Sequence, residues 1–114
     1  MTIDKSLLAG STGLLILRLL KEEDLYGYQM IERLRERSDD TFALKAGTLY
    51  PLLPTLETQE LVQSYERTAD GRTRKYYHLT EVGRTRLAEK TEEWRQFAGA
   101  VEQVLKGGES HAFA

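Results

Sequence analysis

The sequence AGTLYPLLPTLETQ at residues 46–59, with LVQSYER at 61–67 and TRKYYHL at 73–79, decides the fold of this chain. Four leucines of the first segment recur at the spacing i, i+3, i+4 and i+7, which predicts a helix over the whole segment with one apolar face. The next two segments are rich in strand-forming residues. The Asp70-Gly71 pair between them is a strong hairpin signal, because both residues tolerate positive φ. These residues therefore predict a helix followed by a two-stranded hairpin.

Helices are also predicted on both sides of this stretch. The first covers residues 5–21 and is apolar on nearly every side over residues 14–20, and a second follows Asp24. The last helix begins after Thr80, which is a favourable N-cap residue, and ends at Gly107.

Two features predict a homodimer. A helix on the surface of a small monomer needs only one apolar stripe, so a first helix that is apolar all round needs a further covering partner. In the last helix, large apolar side chains follow a heptad-like spacing that is too short for an independent coiled coil and favours packing against a partner's helices. The side chains expected in the interface are Leu15, Leu19, Leu87, Trp94, Phe97, Val101 and Val104.

The composition restricts the classes of function. The chain has 114 residues, a net charge of −2 and no cysteine, which excludes disulfides and thiolate metal sites. Residues 67–78 hold four basic side chains and one acidic one, and such a local patch suits phosphate groups. The sequence shows no nucleophile, metal-ligand cluster or phosphate-binding glycine loop, so neither an enzyme nor a cofactor is expected. With no visible signal peptide or membrane span, we expect a cytoplasmic protein without a membrane partner.

The order of three helices, a hairpin and a last helix is typical of a winged helix-turn-helix protein. In that fold the helix after the turn enters the major groove and the hairpin reaches over the DNA backbone. We therefore expect a mainly α fold with a small β-hairpin and with dimerisation helices at its N- and C-terminal ends. The DNA-binding domain is expected at residues 1–80, including the first helix, the C-terminal dimerisation helix at 81–106 and a disordered tail at 107–114.

Three motifs resemble the PadR family of bacterial regulators. They are Tyr26-Gly27-Tyr28, the AGTLYPLL run at 46–53 followed by Thr55-Leu56-Glu57, and GRTRKYYHLTEVGR at 71–84. The resemblance covers roughly residues 8–105 and implies a homodimer whose last helices pack with the partner's first helices. It also implies that two recognition helices bind a pseudo-palindromic operator in double-stranded DNA. Members usually repress transcription, often in response to phenolic acids, drugs or other small aromatic compounds.

The candidate DNA-binding residues lie on the third helix and on the hairpin. Thr48, Tyr50 and Thr55 lie off the leucine face, and threonine can contact base edges through its hydroxyl and thymine through its methyl group. The basic side chains of the hairpin are candidates for phosphate contacts. The full set is Lys45, Thr48, Tyr50, Pro51, Thr55, Arg72, Thr73, Arg74 and Lys75.

Three positions carry specific expectations. Pro54 departs from the family pattern and cannot donate to the carbonyl of Tyr50, so we expect the third helix to be kinked or locally irregular there. Lys45 stands where a serine cap is frequent; it cannot accept a capping hydrogen bond, but it places a cation near the phosphates. Strand alternation is expected to turn one of Tyr76 and Tyr77 inward and the other outward.

Trp94, the single tryptophan, supports two hypotheses. It is either a core residue of the dimer or, with Phe97, part of a slot at the two-fold axis where paired indoles stack on a planar aromatic ligand. The resemblance implies such a slot at the matching place. The alternative to a DNA-binding regulator is a winged-helix protein-interaction module that does not bind DNA. A carrier that sequesters aromatic ligands at its dimer interface is a further interpretation, and it is compatible with regulation.

Overall fold

Residues 5–110 are the part of the chain that the structure, a computed structural model, describes. Five helices and three strands follow one another in this part: α1 (Lys5–Ala9), α2 (Thr12–Glu22), β1 (Leu25–Tyr26), α3 (Gly27–Arg37), α4 (Ala46–Thr58), β2 (Val62–Ala69), β3 (Arg72–Leu79) and α5 (Glu81–Ser110). The strands form one antiparallel sheet in the order β1-β3-β2. Helices α3 and α4 form the helix-turn-helix and the β2–β3 hairpin forms the wing, which confirms the predicted winged helix-turn-helix fold.

The predicted first helix is in fact two helices, α1 and α2. The carbonyl of Leu8 accepts hydrogen bonds from the Ser11 N–H at 2.9 Å and from the Thr12 hydroxyl at 3.0 Å. Gly10 and Ser11 have low helix propensity, and a serine or threonine hydroxyl competes for backbone partners. The single helix expected over residues 5–21 is therefore wrong.

Helix α2 lies in the middle of the core, and this position explains its apolar sequence. It packs against α3, α5 and β3, and Ile16, Leu17 and Leu20 are buried within the one chain. Leu19 is buried there as well, whereas Leu15 is half-buried at the edge of the core. Most of this helix is covered within the one chain, and only its start, with Leu14, lines an open groove, so its all-round apolarity does not by itself require a partner.

The sheet contains the predicted hairpin and one strand that the sequence did not reveal. Asp70 and Gly71 join β2 to β3 with φ angles of 53° and 74°, the left-handed values that a tight hairpin turn needs. Strand β1 pairs with Tyr76 and Tyr77 of β3. It has only two residues, too few for an alternating pattern to be visible in the sequence.

A single turn connects the end of α4 to the start of β2. Glu60 has a φ of 63°, its N–H donates to the Glu57 carbonyl at 2.9 Å, and the Leu61 N–H donates to the Leu56 carbonyl at 3.0 Å. This pair of hydrogen bonds is the Schellman motif, which satisfies the last carbonyls of a helix and is accompanied here by burial of Leu56 and Leu61.

The first turn of α5 is fastened to that connection. The Thr80 N–H donates to the Leu61 carbonyl at 3.1 Å, and the Thr80 hydroxyl donates to the Glu60 carbonyl at 2.7 Å. The same hydroxyl accepts the Gly83 N–H at 2.9 Å, which confirms Thr80 as the N-cap. Gly83 is pressed so closely on this turn that an added Cβ would lie 2.1 Å from the Leu61 carbonyl oxygen.

The other end of α5 differs from the prediction. The helix continues through Gly107 to Ser110, so Gly107 does not end it. The first four residues of the predicted disordered tail, 107–110, belong to this helix, and 111–114 lie outside the described residues. Glycine lowers helix propensity by about 1 kcal/mol relative to alanine, which weakens a helix without requiring it to stop.

Two glycines of α5 offer a matched test of this packing. Gly83→Ala should destabilise the protein by about 1–3 kcal/mol or more, because the methyl group meets backbone that cannot move freely. Gly99→Ala on the same helix, where a Cβ meets nothing within 4 Å, should stabilise it by up to about 1 kcal/mol. Urea unfolding of both variants checks the prediction, and equal effects of the two substitutions would contradict the packing described here.

Candidate nucleic-acid interface

Helix α4 presents an exposed face that is small and uncharged. Leu49, Leu53 and Leu56 are buried and Leu52 is half-buried, as their spacing predicts. The candidate DNA-contacting residues of this helix are all exposed: Thr48, Tyr50, Pro51 and Thr55. A helix with such a face can approach the floor of a groove without burying an unpaired charge.

Helix α4 begins without a side-chain cap and contains two prolines. Lys45 is the N-cap residue and its side chain makes no capping hydrogen bond, as expected for a lysine. The helix is continuous from Ala46 to Thr58 and contains both Pro51 and Pro54. The irregularity expected at Pro54 therefore does not interrupt the helix.

Tyr50 has a structural role that the sequence analysis missed. Its ring lies against Gly27, the first residue of α3, where an added Cβ would be 2.7 Å from the ring carbon Cε1 and from the hydroxyl oxygen. The glycine of the Tyr26-Gly27-Tyr28 motif thus leaves room for the ring. Half of the Tyr50 side chain stays exposed, so it packs on α3 and remains accessible on the outer side of α4.

The register of the hairpin sorts the wing residues onto its two faces. Arg67 lies opposite Arg74, and Ala69 lies opposite Arg72, so the three guanidinium groups share one face, called here the outer face. The other face carries Lys75 opposite Glu66 and Thr73 opposite Thr68, with the two threonine hydroxyls 2.7 Å apart. The predicted wing set, Arg72, Thr73, Arg74 and Lys75, is therefore divided, and the net positive charge lies on the outer face.

Three tyrosines support the arginines of the outer face. Tyr76 stacks on Tyr65 at a centroid distance of 5.8 Å and meets Tyr26 edge-on at 5.3 Å. The guanidinium of Arg67 lies 5.3 Å from the Tyr76 ring centroid and that of Arg74 lies 4.7 Å from the Tyr26 ring centroid. These cation–π contacts hold two of the three wing arginines in place.

Tyr76 and Tyr77 confirm the expected alternation. They point to opposite faces, as alternation requires, but both are buried. Tyr77 belongs to the core, while Tyr76 is covered on the outer face by its aromatic and cationic neighbours.

Asp24 joins the base of this outer face to the start of β1. Its carboxylate accepts a hydrogen bond from the Tyr65 hydroxyl at 2.6 Å and lies 2.8 Å from Nδ1 of His78. Burial alone would raise the pKa of the Asp24 carboxyl, but the hydrogen bonds from Tyr65 and His78 lower it, and the net pKa is below the ordinary value. An ionised carboxylate is only an acceptor, so Nδ1 of His78 carries the proton in this contact.

Most of the apolar side chains with heptad-like spacing on α5 are exposed, and these exposed side chains are called here the seam. Trp94, Phe97, Val101 and Val104 have exposed fractions of 49%, 67%, 39% and 81%. The first three line an open groove of about 860 Å³ whose other wall comes from α1, the start of α2 and Phe42. Leu87 is different, because it is buried in the chain's own core like Leu19. These two leucines have almost no surface left for a partner and do not belong to an interface.

Sequence reasoning thus found α4 and the wing but missed the residues that hold them. Asp24 and Tyr65 belong to no motif, and Tyr26 was noted only within the Tyr26-Gly27-Tyr28 motif. Arg67 was counted in the basic segment without being assigned to a face. The hairpin register alone would have placed Arg67 beside Arg74. The Asp24 contacts depend on β1, which the pattern could not reveal.

Among the helices of residues 5–110, none combines the length and the apolar character that crossing a membrane requires. The model of the transcriptional regulator PadR-like family matches residues 16–89, which is more than half of the chain. That region contains α3, α4 and the wing.

Relatives of known sequence and structure agree with this match. The transcriptional regulator Rv3488 of Mycobacterium tuberculosis is 40% identical over 77 residues, which are 68% of each chain. An uncharacterised protein of Lysinibacillus sphaericus is 32% identical over 106 residues, covering 92% of this chain and 97% of its own.

A transcriptional regulator from Clostridium thermocellum has a similar structure, with a TM-score of 0.83 at 29% identity over 90% of this chain and 97% of its own. A PadR family transcriptional regulator from Eggerthella lenta gives a TM-score of 0.80 at 32% identity, covering 89% and 87% of the two chains.

The fold, the exposed face of α4 and the basic wing agree with the family match. This family consists of transcriptional regulators and not of enzymes. The chain belongs to the PadR-like family of transcriptional regulators.

Proposed function

We propose that the protein is a cytoplasmic homodimeric repressor that binds a pseudo-palindromic operator in double-stranded DNA. The observation that carries this proposal is the pairing of a small uncharged α4 face with a wing whose outer face holds three arginines. In winged helix-turn-helix proteins these two elements meet the major groove and the backbone. Phosphate contacts orient such a protein, and contacts to base edges select the sequence.

Residues take different roles in this proposal. Lys45, Arg72 and Arg74 contact phosphates, and Lys75 contacts them from the other face of the wing, which it shares with Thr73. Thr48, Tyr50, Pro51 and Thr55 lie in the major groove. The hydroxyl and methyl groups of threonine suit base edges and the thymine methyl. The alternative of a protein-interaction module without DNA binding agrees with the uncharged α4 face but gives no role to the outer-face arginines.

Salt dependence of duplex binding separates these two functions. The logarithm of the binding constant should fall linearly with the logarithm of the salt concentration. Arg72→Ala should reduce the magnitude of that slope by about two for a dimer that loses one contact per subunit. The matched control is Arg95→Ala, which removes the same charge from α5 and should leave the slope unchanged. The duplex to titrate is the region upstream of the protein's own gene, and binding indifferent to both salt and Arg72→Ala would favour the protein-interaction module.

The proposed dimer rests on the exposed seam of α5. Four large apolar side chains on one helix stripe, above a groove formed by α1 and α2, make a surface that a second copy of the same stripe would cover. Obligate homodimer interfaces resemble a core cut in half. In this proposal Trp94, Phe97, Val101 and Val104 provide the interface, with Leu15 at its margin.

A charge in the seam should dissociate the dimer. Val101→Asp buries an unpaired carboxylate in the proposed interface at a cost of several kcal/mol, which corresponds to at least about a 100-fold weaker association. Gln103→Asp, which adds the same charge at an exposed position of α5 off the seam, should remain dimeric. Sedimentation equilibrium at micromolar concentration measures both variants. A folded monomer for the unmodified chain would refute the dimer.

A second proposed activity is relief of repression by a planar aromatic compound bound beside Trp94 and Phe97. The groove in one subunit is lined by both rings, and indoles from two copies near a two-fold axis would enclose a flat slot. A ligand there would change the spacing of the two α4 helices and weaken DNA binding by about 5- to 150-fold.

The single tryptophan makes this ligand directly measurable. Titration with a panel of planar aromatic compounds should quench Trp94 emission, and the DNA titration at saturation should then show weaker binding. Emission that no compound quenches would leave Trp94 as an ordinary interface residue. Quenching with unchanged DNA affinity would retain the site, as in a carrier of aromatic ligands, and remove its regulatory role.

A further inference from the structure

We propose that Asp24 is a positioning residue of the wing. It connects both wing strands to the segment that begins α3, and this connection fixes how Arg67 and Arg74 face a duplex. This inference rests on the proposed function, because it concerns the way the wing meets DNA. It also adds Arg67 to the phosphate-contacting residues, since that side chain shares the outer face with Arg72 and Arg74.

The outer half of the wing needs such a support. Strands β2 and β3 pair over eight residues each, but β1 pairs only with Tyr76 and Tyr77. Residues 66–75 therefore project as a two-stranded ribbon with no third strand beside them. Two-stranded ribbons are marginally stable and strongly twisted, so contacts at the base decide where the tip points.

Asp24 supplies contacts of that kind from one carboxylate. It precedes β1 at one edge of the sheet, whereas Tyr65 lies on β2 at the other edge, so their hydrogen bond at 2.6 Å crosses β3. The second contact, to His78 at 2.8 Å, is made with β3 itself. The carboxylate thus connects all three strands on the outer face.

The tie continues from Tyr65 to the arginines. The Tyr65 ring stacks on Tyr76, and the ring of Tyr76 supports the Arg67 guanidinium. Tyr76 also meets Tyr26, whose ring supports Arg74. A cation–π contact uses the flat face of the guanidinium and leaves the N–H groups on its edge for phosphate oxygens. Holding the Tyr65 ring in place therefore keeps two cations oriented without neutralising them.

The most conservative test is Tyr65→Phe, which removes only the hydroxyl that Asp24 accepts. It should weaken binding to the upstream duplex by about fivefold, within the range that one hydrogen bond contributes, and reduce the magnitude of the salt slope. The matched control is Tyr28→Phe. It removes another exposed hydroxyl that is bonded to a carboxylate, Glu32 at 2.8 Å, but within α3. That variant should bind DNA as the unmodified protein does.

A double-mutant cycle distinguishes positioning from a general structural effect. In a chain that carries both Arg67→Ala and Arg74→Ala, Tyr65→Phe should cause no further loss of affinity, because the cations that it orients are absent. Asp24→Asn should behave like Tyr65→Phe in both backgrounds. Melting temperatures measured alongside would show whether any variant has lost its fold. If Asp24→Asn does not fold, Tyr65→Phe still tests the proposal.

Each outcome decides the proposal. Losses from Tyr65→Phe that disappear in the double-arginine background support it. The positioning role is overturned if Tyr65→Phe binds DNA with normal affinity, or if its loss simply adds to that of the arginine variants. The DNA-binding function survives either outcome, provided that Arg72→Ala still lowers the salt slope. Absence of salt-dependent duplex binding by the unmodified chain overturns both the positioning role and the proposed function.

Discussion

The carbonyl group of Leu61 joins the turn between α4 and the wing to the first turn of α5. It accepts the Thr80 N–H at 3.1 Å, and Gly83 packs against it more closely than any other residue could. Leu61 itself ends the Schellman turn of α4 and precedes β2. Leu61 therefore links the end of α4, the start of β2 and the first turn of α5, and α2 adds a second contact with α5.

A second short segment, residues 24–27, holds those elements from the other side. Asp24 and Tyr26 support the wing through hydrogen bonds and ring contacts, and Gly27 supports α4 through the Tyr50 ring. The wing and the recognition helix thus share a fixed base. DNA binding requires contacts with nucleobases and with phosphates at the same time. A common support that holds the wing and α4 in place before binding reduces the entropy lost on binding.

The sequence predicted the elements whose signals are local. The leucine spacing of α4, the Asp70-Gly71 turn and the Thr80 cap each act within a few residues, and each was confirmed. The two-residue β1 and the burial of Leu19 and Leu87 depend on packing between distant segments. The break at Gly10-Ser11 has a local cause, low helix propensity, which the apolar periodicity did not show. Periodicity shows that apolar side chains share one face of a helix, but it does not show whether the chain's own core or a second copy covers that face. The wing's basic composition was likewise visible, whereas its division into two faces required the register.

The central claim is that two copies of this chain place their α4 helices in successive major grooves of one duplex. Hydroxyl-radical footprinting of the region upstream of the gene tests it most directly, because it maps protected backbone on both strands. The account predicts two protected patches related by a two-fold axis, with centres about 10.5 base pairs apart or a multiple of that distance. A single asymmetric patch, or no protection at low salt, would contradict it.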